Sequence, residues 1–172
     1  MSRASTLWTA ARALFYATAF SALWGWLAYE AHLNDARFAV QLPGWVAPIG
    51  VALMPIGAAI VVACLVTFVV RGRGTPAPFD APREFVASGP YRWVRNPMYL
   101  GAFLVLAGYA LCAGSFAALL VAFGLLGVTH LFAVLHEEPA LERRFGDSYR
   151  DYRLRTRRWI PGPPREAGTD RR

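Results

Sequence analysis

Lysine is absent from this chain of 172 residues, so all 18 basic residues are arginine. The absence extends over the whole sequence, which indicates a coding bias and says little about chemistry. Cysteine is scarce as well: Cys64 and Cys112 lie far apart inside apolar runs, with no Cys-x-x-Cys pair or Cys/His cluster. We interpret both as small buried apolar residues and expect no metal site.

Two common enzyme signatures are also missing. No glycine-rich loop follows a predicted strand, which excludes a Rossmann-type methyltransferase domain. No Gly-x-Ser-x-Gly motif occurs, which argues against acyl hydrolysis.

Apolar residues, by contrast, make up 56% of the sequence and are gathered in long runs with the charges between them. A soluble chain would mix polar and apolar positions to form a wet surface. The pattern predicts an all-α integral membrane protein with transmembrane helices at about 7–29, 45–70, 98–112 and 116–135. A turn at Gly114-Ser115 joins the last two spans into a helical hairpin.

The arginines predict the orientation in the membrane. Five lie in segment 71–97 and ten in the tail 136–172, whereas the loop between the first two spans has one, Arg37. Because basic loops stay on the cytoplasmic side, we expect both termini and segment 71–97 inside. The net charge of +7 is then explained by loops near anionic lipid, and nucleic-acid binding is not expected.

The two ends of the chain are interpreted differently. The first apolar run is expected to remain as a membrane anchor, since no small-x-small cleavage site follows it promptly. In the tail, apolar and aromatic residues recur at helical spacing from Leu141 to Tyr152, and Gly146 can end one helix before Asp147 caps the next. The sequence thus predicts one membrane domain over 1–161, with cytoplasmic C-terminal helices, and a disordered tail over 162–172.

A first motif precedes the third span and reads Ser-Gly-Pro-Tyr-Arg-Trp-Val-Arg-Asn-Pro-Met-Tyr-Leu-Gly from Ser88 to Gly101. Gly89 and the proline after it form a turn, and Asn96 followed by Pro97 is a strong helix start. The free N–H groups of a helix N-terminus suit ligand oxygens. The alternative, which the local pattern leaves open, is simply a capped span with aromatic anchors.

A second motif ends the fourth span, where His136, Glu137 and Glu138 reach the cytoplasmic boundary. His130 shares a helical face with Glu137 and is interpreted as a polar residue bonded inside the bundle. Two adjacent carboxylates at a boundary rich in arginine could bind a cationic or hydroxylated ligand. The alternative is salt bridging with Arg143, with its neighbour at 144, or with segment 71–97.

The two motifs, Ser88-Gly-Pro-Tyr…Arg95-Asn-Pro-Met-Tyr-Leu-Gly101 and Glu137-Glu-Pro-Ala-Leu…Phe145-Gly-Asp-Ser-Tyr149…Tyr152…Ile160-Pro161, resemble the signature of the isoprenylcysteine carboxyl methyltransferase family and its phospholipid methyltransferase relatives. The resemblance covers roughly residues 80–161. It implies a bacterial inner-membrane enzyme that transfers a methyl group from S-adenosylmethionine to a lipid or lipophilic acceptor. The implied cofactor-binding residues are Glu84, Phe85, Val86, Gly89, Tyr91, Asn96, Pro97, Met98, Tyr99, His136, Glu137 and Glu138.

Arg95 and Tyr99 are the candidate catalytic residues, which would orient the acceptor. Two departures from the family pattern bear on the chemistry. Asn96 replaces a histidine and cannot act as a titrating base near neutral pH. Ala133 stands where the prenylcysteine enzymes carry a substrate-contacting arginine, so we expect a neutral lipophilic or lipid-amine acceptor. The oligomeric state is left open.

Two other functions fit the layout. Membrane reductases that use NADPH have a similar arrangement of spans and a related Arg-x-Pro-x-Tyr motif. The Glu137-Glu138 pair disfavours this hypothesis, because a 2′-phosphate prefers arginine nearby. The other alternative is a non-catalytic membrane protein with a residual pocket.

Overall fold

The computed structural model describes residues 3–38, 40–72 and 85–164, and these ranges are helical with no β-strand among them. The predicted all-α class is confirmed. The α-helices are α1 (Arg3–Leu33), α2 (Ala47–Thr67), α3 (Pro97–Cys112), α4 (Phe116–Phe132), α5 (Glu138–Phe145) and α6 (Asp147–Arg155). A π-helical turn, Phe68–Gly72, extends α2, and a second one, Ala133–Glu137, joins α4 to α5.

Within the described ranges, two helical runs are long and apolar enough to cross a membrane, Gly44–Gly72 and Phe116–Phe145. Only 11% of the most apolar stretch of the first run is buried, whereas a soluble core helix would be enclosed. The structure does not confirm four spans. Helix α3 has 16 residues, about 24 Å, against a hydrocarbon core of ~30 Å. Helix α1 is long, but tryptophan, tyrosine, Arg12 and Glu30 make it less apolar.

Helices α2 and α3 approach each other through glycine. A Cβ atom on Gly57 would lie 2.5 Å from the carbonyl oxygen of Gly101, and one on Gly101 would lie 2.8 Å from that of Gly57. Gly50 and Gly108 repeat this contact seven residues away along both helices. Small residues allow helix backbones to approach this closely. The contact fixes the first turns of α3 against the middle of α2.

The turn between α3 and α4 is well capped. Gly114 adopts φ +65°, and Ser115 Oγ accepts a hydrogen bond from the N–H of Ala118 at 3.0 Å. Asp35 Oδ1, from the segment after α1, accepts a second one from the N–H of Ala117 at 2.8 Å. The predicted helical hairpin is confirmed, and α1 packs against it through Ala28 and Trp24.

The C-terminal part folds back toward the start of α3. Gly146, at φ +53°, separates α5 from α6 as predicted, although Gly146 and not Asp147 occupies the cap position. The following segment, Thr156–Gly162, is called the C-terminal strap. Its main chain pairs with the loop before α3: the N–H of Arg95 donates to the carbonyl of Arg157 at 2.8 Å, and that of Gly162 to Trp93 at 3.1 Å. Most of the predicted disordered tail, residues 165–172, lies outside the described residues.

Candidate functional site

A turn at Gly89 directs Tyr91 into the helix bundle. Gly89 adopts φ +61°, and a Cβ atom there would lie 2.7 Å from Thr67 Oγ1. The ring of Tyr91 is buried edge-to-face on Phe68, with ring centroids 5.1 Å apart, beside Cys64. Burial, and secondly the Cys64 thiol, raise the pKa of Tyr91 well above its usual value. Tyr91 is therefore a neutral phenol at the floor of the site.

Asn96 and Pro97 begin α3, as the sequence predicts, but the expected capping hydrogen bond from the Asn96 side chain is not formed. Pro97 is fully buried at the first helical position. The Asn96 side chain makes no capping hydrogen bond, so this part of the prediction is wrong. Its Nδ2 is buried, with no hydrogen-bond partner in the described structure.

A small cavity lies where α3 begins and the π turn after α4 ends. Its volume is about 20 Å³, room for about one water molecule or a small polar group. Tyr99 donates a hydrogen bond to Glu137 Oε2 at 3.2 Å across 38 residues of sequence. Arg95 Nε is a second buried donor without a partner among the described residues. The lining residues are Phe68, Tyr91, Arg95, Asn96, Met98, Tyr99 and Glu137.

The two adjacent glutamates have different surroundings. Glu138 is 8% exposed, and its Oε1 accepts hydrogen bonds from Arg95 Nη1 at 3.0 Å and Arg158 Nε at 2.8 Å. Arg158 Nη2 also binds Oε2 at 3.0 Å. The salt-bridge interpretation with segment 71–97 is thus confirmed for Glu138. Glu137 has no arginine partner in the described structure and faces the cavity, hydrogen-bonded to Tyr99.

The other predicted site residues lie around this cavity and not in it. Phe85 packs among the rings of α5 and α6, 5.2 Å between centroids from Tyr152, and Val86 is buried beside Tyr91. His136 is exposed and stacks on Phe132 at 5.6 Å. Glu84 falls outside the described residues.

Three residues of the site have no counterpart among the predicted ones. Phe68 reads in the sequence only as the end of an apolar run. Arg158 is one of ten tail arginines. The adjacent carboxylates predict an arginine partner, but nothing in the sequence indicates which of the ten it is. Tyr152 belongs to the second motif and to the predicted tail helix without a predicted contact, and in the structure its hydroxyl donates to the carbonyl of Tyr91 at 2.7 Å.

A larger open groove of about 280 Å³ lies between α6 and the segment that begins at Phe85. It includes neither Glu137 nor Tyr99 and shares no lining residue with the small cavity. We place the candidate site by its polar atoms, at the small cavity, because volume without converging functional groups does not define chemistry.

The family profile described as "Phospholipid methyltransferase" matches residues 45–148. This chain belongs to the phospholipid methyltransferase family. The match contains α2 to α5 and every residue that lines the small cavity, while α1 and the C-terminal strap lie outside it. An uncharacterized protein of Haemophilus influenzae (strain ATCC 51907 / DSM 11121 / KW20 / Rd) is 38% identical over 63 residues, which is 37% of this chain and 100% of that protein.

Family membership confirms the predicted resemblance, and the family's members are methyltransferases of lipid-like substrates. Together with the two apolar helical runs, it supports association of this chain with a membrane.

Proposed function

We propose that this chain is a methyltransferase that uses S-adenosylmethionine and methylates a lipid or lipophilic acceptor at the cytoplasmic surface of the bacterial inner membrane. The observation that carries the proposal is Glu137. Its carboxylate faces a cavity that holds two unused buried donors, and all of these groups fall within the family match.

The polar groups of the cavity fit one end of the cofactor. S-adenosylmethionine carries an ammonium and a carboxylate at its amino-acid end, and hydroxyls on its ribose. Glu137 can accept from the ammonium or from hydroxyls, while Arg95 Nε and Asn96 Nδ2 can donate to ligand oxygens. A buried donor without a partner costs about 1–3 kcal/mol, which such a ligand would offset. The cavity is the size of one such group.

When bound, the cofactor supplies a methyl group attached to a sulfonium. Transfer of that methyl group leaves a neutral sulfur, so strong acid catalysis is unnecessary. The work of the chain is positioning and exclusion of water. Tyr99 holds Glu137 in one orientation through their hydrogen bond. The rings of Phe68 and Tyr91 and the side chain of Met98 line the cavity against solvent. We propose that Arg95 and Tyr99 also orient the acceptor.

Replacing Glu137 by glutamine should weaken S-adenosylmethionine binding by about tenfold or more. A charge-assisted hydrogen bond contributes roughly 1.5–3 kcal/mol, and about 1.4 kcal/mol is one decade of affinity. Glu142→Gln is the matched control, since Glu142 pairs only with exposed Arg150 and Arg153 on the described surface. Isothermal titration of both purified variants with S-adenosylmethionine and with NADPH measures the effect.

Equal affinity of the two variants for S-adenosylmethionine would remove Glu137 from the cofactor site. Heat of binding with NADPH alone would favour the reductase function over methyl transfer.

The acceptor should be a neutral lipophilic molecule or a lipid amine. Ala133, at the place of the family's substrate-contacting arginine, is 0% exposed. A carboxylate acceptor without a cation loses at least one charge-assisted bond, so farnesylcysteine should react about tenfold more slowly or worse. The measurement is the initial rate of label transfer from S-adenosylmethionine to each acceptor in membranes.

Installing the arginine does not provide a useful counter-test. Ala133 has no free surface, so Ala133→Arg should overpack the helix junction instead of restoring carboxylate binding. Faster methylation of farnesylcysteine by the native protein would instead show that another cation serves the carboxylate.

The predicted orientation can be tested with single cysteines at Ala36, Thr75 and Arg165, in a chain with Cys64 and Cys112 replaced by alanine. Position 36 is preferred to Asp35, whose side chain caps α4. An impermeant maleimide should label 75 and 165 only from the cytoplasmic side and 36 only from outside, following the arginine distribution. Labelling of 36 and 75 from the same side would contradict the four-span arrangement.

A further inference from the structure

The tail contains two kinds of arginine. Arg150 and Arg153 pair with Glu142 at 2.9 and 3.2 Å, and Arg158 pairs with Glu138. The side chains of two others, Arg155 and Arg157, are exposed and have no acidic partner within the described ranges. These two flank the start of the C-terminal strap. They give it positive charge that no ion pair among the described residues neutralises.

The strap also carries exposed apolar surface. Ile160 is 66% exposed, and Leu154, just before the strap, is 73% exposed. Exposed isoleucine and leucine beside unpaired arginine is the composition of segments that lie in a membrane interface, with the apolar groups at the acyl boundary and the cations among the headgroups.

One hydrogen bond places the strap beside α4, which belongs to a helical run long and apolar enough to cross a membrane. Trp159 Nε1 donates to His130 Nδ1 at 3.0 Å. His130 lies on the exposed flank of α4, next to Leu131, which is 58% exposed, and about 10 Å before Glu137 along the helix axis. The indole thus lies against an exposed flank of α4 that carries apolar side chains. Tryptophan is enriched where such flanks meet a membrane interface.

We propose that the C-terminal strap docks on the surface of a bilayer that contains anionic lipid. Trp159 and Ile160 enter the headgroup boundary beside α4, and Arg155 and Arg157 bind anionic headgroups. The positive charge favours anionic over zwitterionic lipid, and the contact with the apolar flank of α4 favours a bilayer over a soluble anion or a protein partner. This interaction lies outside the family match and goes beyond the proposed methyl transfer.

Docking of the strap on the membrane would affect the candidate site directly, because the strap is bonded both to the loop before α3 and to Glu138. The carbonyl of Arg157 accepts the N–H of Arg95, and the next side chain, Arg158, binds the carboxylate of Glu138. In the docked state the side chain of Arg157 therefore faces lipid, and its main chain faces the loop before α3. A strap held on the membrane keeps Arg95 and Asn96 in place.

The test uses the full chain in nanodiscs of phosphatidylcholine with and without phosphatidylglycerol. A spin label at Ile160→Cys, in the background without Cys64 and Cys112, reports depth through its accessibility to lipid-soluble and aqueous relaxants. We expect the label to move into the interface only in the anionic discs. Arg155→Gln and Arg157→Gln should each lower the docking equilibrium by about fivefold. Arg153→Gln, the matched control whose native partner is Glu142, should leave it unchanged.

A second measurement needs no substitution: hydrogen exchange of the peptide that contains Arg95 should be slower in anionic discs. A label equally exposed to water in both discs, or equal effects of Arg153→Gln and Arg157→Gln, would overturn the proposal. Both readouts report strap position and not methylation, so their failure is distinguishable from failure of the proposed enzyme function.

Discussion

Alanine at Glu138 is expected to reduce the free energy of unfolding by about 3 kcal/mol and to abolish most cofactor binding. The carboxylate is shared by Arg95 and Arg158, whose side chains are 11% and 29% exposed. Its removal leaves two guanidinium groups without their counter-charge. Breaking a buried pair typically costs 3–5 kcal/mol, and the partial exposure of Arg158 places this case at the lower end.

The measurement is a denaturant titration of the detergent-purified protein, with Glu142→Ala as the control. Glu142 also binds two arginines, Arg150 and Arg153, but these are 57% and 44% exposed, so its loss should destabilise the protein far less than the loss of Glu138. Equal destabilisation by the two variants would show that the Glu138 cluster is no stronger than a surface ion pair. Glu138→Gln, which keeps an acceptor oxygen, should be intermediate.

Alanine at Gly57 should likewise destabilise the protein by about 3 kcal/mol, the upper end of the usual cost of overpacking. The new methyl group would meet the carbonyl oxygen of Gly101 at 2.5 Å and the backbone nitrogen of Val105 at 2.9 Å. Backbone atoms cannot rotate away as a side chain would, so α2 and α3 must separate. Gly124→Ala is the control: a Cβ atom there meets nothing within 4 Å, and alanine should be neutral or stabilise α4 by up to about 1 kcal/mol.

Gly57→Ala should also weaken S-adenosylmethionine binding. The new methyl group displaces Gly101, which lies two residues after Tyr99 on α3. Gly50→Ala offers a second comparison at the opposite end of the same helix pair, where its Cβ atom would meet the carbonyl oxygen of Gly108. We expect it to lower stability similarly while affecting cofactor affinity less. A loss of affinity that is equal at both positions would mean that the site responds to overall stability and not to the local position of α3.

Features set by local chemistry were predictable from the sequence. The start of α3 at Pro97, the turn at Gly114 and the helix break at Gly146 each depend on a residue with a restricted or unusual backbone, and the structure has all three. The number of spans was harder to predict, because α3 is apolar but shorter than a typical span, and α1 is long but carries charged residues among its apolar ones.

Which residues pair over long range could be predicted only in part: salt bridging with segment 71–97 was anticipated, but not which glutamate would take part. Adjacent carboxylates at 137 and 138 look equivalent in the sequence, yet one ends the π turn and binds Tyr99, while the other begins α5 and binds Arg95 and Arg158. Among the tail arginines, nothing local distinguishes the one that binds Glu138. The Asn96–Pro97 pair predicts a capped helix, but whether the amide caps or faces a cavity depends on what packs above it.

The return of the strap to the loop before α3 has a consequence for biosynthesis. Chains fold from the N-terminal side as they are made, and Arg158 is synthesised after all the described helices. When α3 to α5 first assemble, Glu138 has only Arg95 as its arginine partner, and the N–H of Arg95 still lacks the carbonyl of Arg157. The loop before α3 thus acquires its full set of hydrogen bonds last, after the helices that surround it have been synthesised.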